Sequence, residues 1–254
     1  MTQRSGIIDR VLLVLGSQMF AIPMVSLVHE VGHIIAMNLV GITKYTLAIN
    51  PFTESSATPL MSIPAENMLF VSASGMIFQT IIFSILAILL WRCKSVNLLP
   101  LMVCLPMSML NVGGYLLMGS IVEGSDVILM GQAGVPSMVV QIIGVMFLVL
   151  GLRTYTRLLP VAGFTKESPV ADIFTPLFLG TGIYPIAMTV YGYISGYGTM
   201  IGSINIVTSL IFGATYTLLF KRVQTIEPNT PSRADAYKVL GTGLTTIILS
   251  FLLF

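Results

Sequence analysis

The chain has 254 residues, 55% of them hydrophobic and only 9% charged, with a formal net charge of +2 and a mean hydropathy of +0.94. That balance excludes a water-soluble domain of this length and makes the lipid bilayer its first partner, while the lack of any basic cluster excludes nucleic acid. Two cysteines, Cys93 beside charged residues and Cys104 inside an apolar run, make neither a disulfide framework nor a Cys-rich zinc site.

Apolar runs of about 20 residues, enough to cross a roughly 30 Å hydrocarbon core, recur along the chain and predict an all-α polytopic membrane protein. Seven transmembrane helices are expected, at about 7–40, 67–91, 97–119, 136–157, 171–195, 199–220 and 237–254, in a single membrane domain over 1–254. The N-terminus, MTQRSGIIDR, offers no small-residue cleavage site after its first apolar stretch, so the first span is expected to be retained. Some thirty helical residues measure about 50 Å, so this span must tilt, kink at Pro23 or project from the membrane. The connection at 41–66 alternates β-favouring and polar residues, is broken by Pro51, Pro59 and Pro64, and predicts a short β-hairpin or extended loop. A second polar connection, about 119–135, holds Glu123 and Asp126 between glycines. Gly192/Gly196 and Gly198/Gly202 have the small-xxx-small spacing of close helix packing, and Pro169, Pro176 and Pro185 predict a kinked fifth span.

Of the twelve lysines and arginines, all but Lys44 fall on the N-terminal side of this arrangement. The positive-inside rule then places the chain in a cell membrane as a multi-pass protein with its N-terminus in the cytoplasm. From Arg10 to His29 is about 28 Å of helical rise, which carries the histidines toward the extracytoplasmic face. The 41–66 connection and the Asp126 loop emerge on that same face, because the number of intervening spans requires it.

The only two histidines lie in LVHEVGH, residues 27–33, as His29-Glu30-x-x-His33. Residues i and i+4 share a helix face, so both imidazoles can reach one metal ion while Glu30 lies beside them to act on a water. A structural polar cluster is the plainer alternative, but two imidazoles and a carboxylate within a span cost several kcal/mol unless paired, metallated or hydrated. Catalytic zinc takes three protein ligands, and with no third histidine the remaining one is expected to be a carboxylate, or less readily an amide or thiol. Asp126 is the first candidate and Glu123 its rival; Ser125-Asp126 would equally serve as a helix cap. Asn111, deep in the third span, is either helix-packing glue or a substrate-orienting amide. One zinc ion is the expected cofactor, though two imidazoles and a carboxylate suit several divalent metals.

HEVGH near the end of the first span, the β-like connection, a second helix beginning FVSASGMIFQTIIF and an aspartate in a loop after the third span resemble the site-2 protease family of intramembrane zinc metalloproteases. The order of parts is similar to its smaller branch, in which a Ser-Asp pair, here Ser125-Asp126 in EGSDVILMG, takes the place of the more usual Leu-Asp-Gly. The resemblance spans residues 20 to about 145, a metalloprotease-like core of 1–145 followed by additional transmembrane helices over 146–254. It implies that His29, His33 and Asp126 are metal ligands and that Glu30 is the catalytic general base. Gly75 with Gln79 stands where the family has Gly-xxx-Asn, which makes Gln79, beside Asn111, a candidate for substrate positioning.

The resemblance implies an intramembrane metalloprotease acting on a membrane-embedded or membrane-adjacent protein or peptide, which the strand edge of the 41–66 connection could receive in extended form. A rival reading is a non-proteolytic metal-binding membrane subunit or assembly partner on the same scaffold, since the family's Asn-Pro segment before the aspartate is missing and the last three spans match none of its parts. A metal or proton transporter is the weakest class, because the later spans supply few ionisable partners. Oligomeric state does not follow from the sequence.

Overall fold

A computed structural model of the chain describes residues 6–51, 55–90, 92–121, 125–195, 211, 213–222 and 228–253. It is almost entirely helical. Helices α1 (Ile7–Leu39), α2 (Met68–Leu90), α3 (Leu99–Met118), the short α4 (Asp126–Gln132), α5 (Ser137–Leu158), α6 (Val170–Ile194), α7 (213–222) and α8 (Arg233–Leu253) are joined by short turns and one two-stranded sheet. Six helical segments among the described residues are long and apolar enough to cross a membrane. The chain is therefore an all-α, multi-pass membrane protein. The expected span at 199–220 falls mostly outside the described residues, as do Gly196, Gly198 and Gly202; of that span, 213–220 are helical.

The first helix runs without interruption through Pro23. Its start is fixed by the Asp9 carboxylate, which accepts the Gly6 N–H at 2.9 Å. The last helix begins four residues before the expected position. Ser232 and Asp235 cap each other's backbone there, Asp235 Oδ2 accepting the Ser232 N–H at 2.9 Å and Ser232 Oγ the Asp235 N–H at 3.2 Å, and this adds a polar first turn that hydropathy does not register.

The 41–66 connection folds back as an antiparallel hairpin of β1 (Tyr45–Ala48) and β2 (Ser56–Pro59), with Thr46 opposite Thr58 and Leu47 opposite Ala57. It lies against the end of α1, where Ala57 and Tyr45 join a small apolar cluster with Ala36, Met37, Ile42 and Val71. The Tyr184 hydroxyl of α6 donates to the Pro51 carbonyl, just past β1, and ties α6 to the connection between the two strands.

Helix α1 is the central element. It packs against α2 and α3 on one side and against α6 and α8 on the other, while α5 lines α3. Glycines permit the closest crossings. A Cβ on Gly16 would stand 2.6 Å from the Leu240 Cα of α8, and one on Gly113 would stand 2.7 Å from the Leu148 N of α5. The main core lies between these helices around Leu13, Ala21, Val103, Tyr155, Ile173 and Tyr216.

The connections carrying the basic residues gather at the N-terminal end of α1. There Arg233 Nε lies 3.4 Å from Asp9, Arg10 stacks over the Phe164 ring at 5.4 Å, and the Asn229 N–H donates to the Pro160 carbonyl at 2.8 Å. Lys221 caps the Ser168 carbonyl at 2.6 Å. The histidines occupy the far half of the same helix.

Candidate metal centre

His29 and His33 project from one face of α1, as their i, i+4 spacing requires. That face meets α2 where both backbones are bare: a Cβ on Gly32 would lie 2.9 Å from the Ser74 carbonyl and 3.0 Å from the Gly75 Cα. Gly75 sits directly behind the imidazoles. A Cβ there would stand 2.6 Å from His33 Nε2 and 2.7 Å from His29 Nε2, so only glycine leaves the space between the two rings clear.

Helix α2 also orients the buried His33. Its Nδ1 lies 2.8 Å from the Val71 carbonyl, with Ser74 Oγ 3.2 Å away and itself donating to the same carbonyl at 2.6 Å. A carbonyl only accepts, so the Nδ1 carries the proton and the neutral ring turns an Nε2 lone pair toward His29.

The third group arrives from the far end of α3. Ser125 caps α4, its Oγ accepting the Ile128 N–H at 3.3 Å and donating to the Gly119 carbonyl at 2.5 Å. The Asp126 N–H, in the first turn, donates to the Tyr115 hydroxyl at 3.2 Å. These contacts aim the Asp126 carboxylate at α1: Oδ2 stands 3.3 Å from His29 Nε2 and 3.2 Å from His33 Nε2, and the two Nε2 atoms are 3.0 Å apart. Burial favours protonation of Asp126, but the adjoining His29 and His33 imidazoles override it and hold the carboxyl at about 2.

Such a triangle of lone pairs suits a metal. Ligand atoms about 2.0 Å from a tetrahedral zinc lie about 3.3 Å from one another, close to the three separations here. His29, His33 and Asp126 form the one group of three metal-ligating side chains among the described residues. Glu30 is buried beside them. The rival carboxylate, Glu123, lies outside the described residues.

The two amides do not enter the triangle. Gln79, fully buried one turn beyond Gly75, donates to Asn111 Oδ1 at 3.4 Å and lies 3.5 Å from the Ser108 carbonyl. Asn111 itself is exposed on the outer surface of α3. Gln79 Oε1 and Ser108 Oγ are buried with no hydrogen-bond partner among the described residues.

Reading the sequence missed the residues that support the ligands: Val71, Ser74, Gly75 as a steric gap, and Tyr115. Serines at 72 and 74 inside an apolar span were a visible sign that α2 had polar work at its start, whereas the Tyr115 contact had no local sign. Comparison with protein-family models, with curated proteins and with solved structures finds no significant match to this chain.

Proposed function

We propose that this protein is an intramembrane zinc metallopeptidase of site-2 protease type, hydrolysing peptide bonds of membrane-embedded or membrane-adjacent substrates. The observation that carries the reading is the convergence of His29 Nε2, His33 Nε2 and Asp126 Oδ2 within 3.3 Å of one another beside a buried glutamate. A zinc ion held by these three atoms would polarise the scissile carbonyl and bring the pKa of a water toward about 7.

Glu30 is then the group that moves the proton. It takes one from the attacking water as oxygen bonds to the carbonyl carbon, and delivers it to the departing amine nitrogen as the C–N bond breaks. His33 is kept in the ligating tautomer by Val71, and Asp126 is kept on target by Tyr115 and the Ser125 cap. Gln79 and Ser108, with buried acceptors left over, are suited to hold the backbone of an unwound substrate one turn from the triangle.

In the orientation that the charge distribution supports, the N-terminus and the basic connections are cytoplasmic, seven helices cross the cell membrane, and the metal centre opens toward the extracytoplasmic face. A reporter fused after residue 254 is then extracytoplasmic; a cytoplasmic signal removes this orientation.

The decisive experiment measures metal content and cleavage together. Purified protein is expected to carry one zinc and to cleave a co-expressed membrane substrate, and Glu30→Gln to keep the zinc while cleavage falls by about 10² to 10⁴-fold. Equal cleavage by both proteins removes Glu30 from the mechanism. Zinc retained with no cleavage by either favours the metal-binding subunit.

A further inference from the structure

The basic residues at the N-terminal end of α1 divide into two sectors. In one the cations are engaged: Arg233 pairs with Asp9, Arg10 lies over the Phe164 ring, and Lys221 donates to the Ser168 carbonyl. In the other, Arg92 and Lys94 of the α2–α3 connection and Arg153 and Arg157 in the last two turns of α5 are all exposed. None of these four makes an ion pair or a side-chain hydrogen bond among the described residues.

The four are scattered in sequence, and the fold brings their two segments together. The Asn229 side chain donates to the Lys94 carbonyl while its backbone N–H donates to the Pro160 carbonyl at 2.8 Å, so the connection and the end of α5 meet across the length of one asparagine. No aspartate or glutamate occurs in 91–100, 150–163 or 228–232, the segments that build this sector.

The surface beneath the charges identifies the partner. Ile142, Met146 and Val149 stand on one face of α5 with Arg153 and Arg157, at steps of three and four residues, and all five are exposed. On α2, exposed Ile81, Ile85 and Ile88 form an apolar stripe that ends just before Arg92. In a bilayer such stripes meet acyl chains, and the long cationic side chains beyond them reach the level of the headgroups. A soluble anion would use the charges and leave the stripes idle, whereas a phospholipid uses both.

We propose that this sector is a binding surface for an anionic phospholipid, its phosphate held by Arg92, Lys94, Arg153 and Arg157 and its acyl chains lying along the exposed stripes of α2 and α5. The assignment does not depend on the peptidase reading, since it uses no residue of the metal centre. A zwitterionic lipid offers the same acyl chains with a cationic group that the guanidiniums repel, so headgroup charge sets the selectivity.

Lipid titration of the full chain in an uncharged detergent, with bound lipid counted by native mass spectrometry, tests this. Dioleoylphosphatidylglycerol is expected to bind about tenfold more tightly than dioleoylphosphatidylcholine. R153Q/R157Q and R92Q/K94Q are each expected to lose most of that preference, and R222Q/R233Q, which removes two charges elsewhere on the same end, to keep it. Equal binding of the two lipids by the unaltered protein overturns the proposal and leaves the sector to an acidic protein or to topology alone. An equal loss in R222Q/R233Q reduces the effect to net charge and overturns the sector. Glycerol 3-phosphate is expected not to displace the lipid at millimolar concentration; displacement would make this a free-phosphate site and sink the lipid assignment. A photoactivatable phosphatidylglycerol needs no variant: its adducts are expected on peptides covering 81–98 and 142–160, and adducts confined to 213–253 would overturn the placement even if the substituted proteins failed to fold.

Discussion

The two ends of α1 use polar residues in opposite ways. At the N-terminal end Asp9, Arg10, Lys221 and Arg233 are dispersed, and each finds its own partner: a carboxylate, an aromatic face or a loop carbonyl. At the far end His29, His33 and Asp126 are few, buried or half-buried, and directed at a single point, with Glu30 buried beside them. Dispersed charge near a membrane surface is screened and contributes little per pair, whereas convergent polarity inside a low-dielectric bundle is costly unless something occupies the point of convergence. One helix thus serves as an anchor at one end and as a ligand platform at the other, with α8 gripping it between them at Gly16.

Substitutions can break this contrast, and their effects are expected to be graded. The largest is at Gly75. Gly75→Ala puts a methyl 2.6 to 2.7 Å from both Nε2 atoms, and is expected to abolish zinc retention, read by metal analysis, while the helical circular dichroism stays near that of the unaltered protein. Gly16→Leu comes next: it drives side-chain atoms into the α8 backbone and is expected to destabilise the protein by about 3 kcal/mol, read as lowered thermal stability in detergent. Tyr115→Phe is smaller. It leaves the Asp126 N–H without its acceptor and loosens the carboxylate, so zinc affinity should weaken by about tenfold, read by competition with a chelator. The smallest effect belongs to the basic end, where Arg233→Ala removes an ion pair whose arginine is 72% exposed and should change stability by less than about 1 kcal/mol. If Arg233→Ala cost more than Tyr115→Phe, the contrast between the ends would be wrong.

The local parts of the site were legible in the sequence. Histidines at i and i+4 in an apolar run share a helix face whatever the rest of the chain does, and counting spans is enough to bring the Asp126 connection to that face. The hairpin was legible from alternation and prolines. The amides at 79 and 111 were visible as polar groups inside apolar spans, but that Gln79 donates to Asn111 one turn from the triangle depends on how α2 and α3 cross. The partners that Gly192 was expected to pack with lie outside the described residues; the close crossings seen at Gly16, Gly180 and Gly243, among others, had no such spacing to mark them, because crossing points depend on how whole helices tilt.

By itself the sequence determined a bilayer protein, the approximate ends of its described spans, the segregation of its basic residues and the shared face of its two histidines. Each of these depends on composition or on periodicity within one element, which short-range sterics and the hydrophobic effect impose directly. Only the tertiary structure decided that the Asp126 carboxylate, 93 residues beyond His33, closes the triangle; that Gly75 keeps it clear; and that α6 and α8 clasp α1. Those outcomes depend on contacts between distant elements, where a rotation of one helix by a single residue would turn a ligand into lipid, and no local pattern encodes that angle.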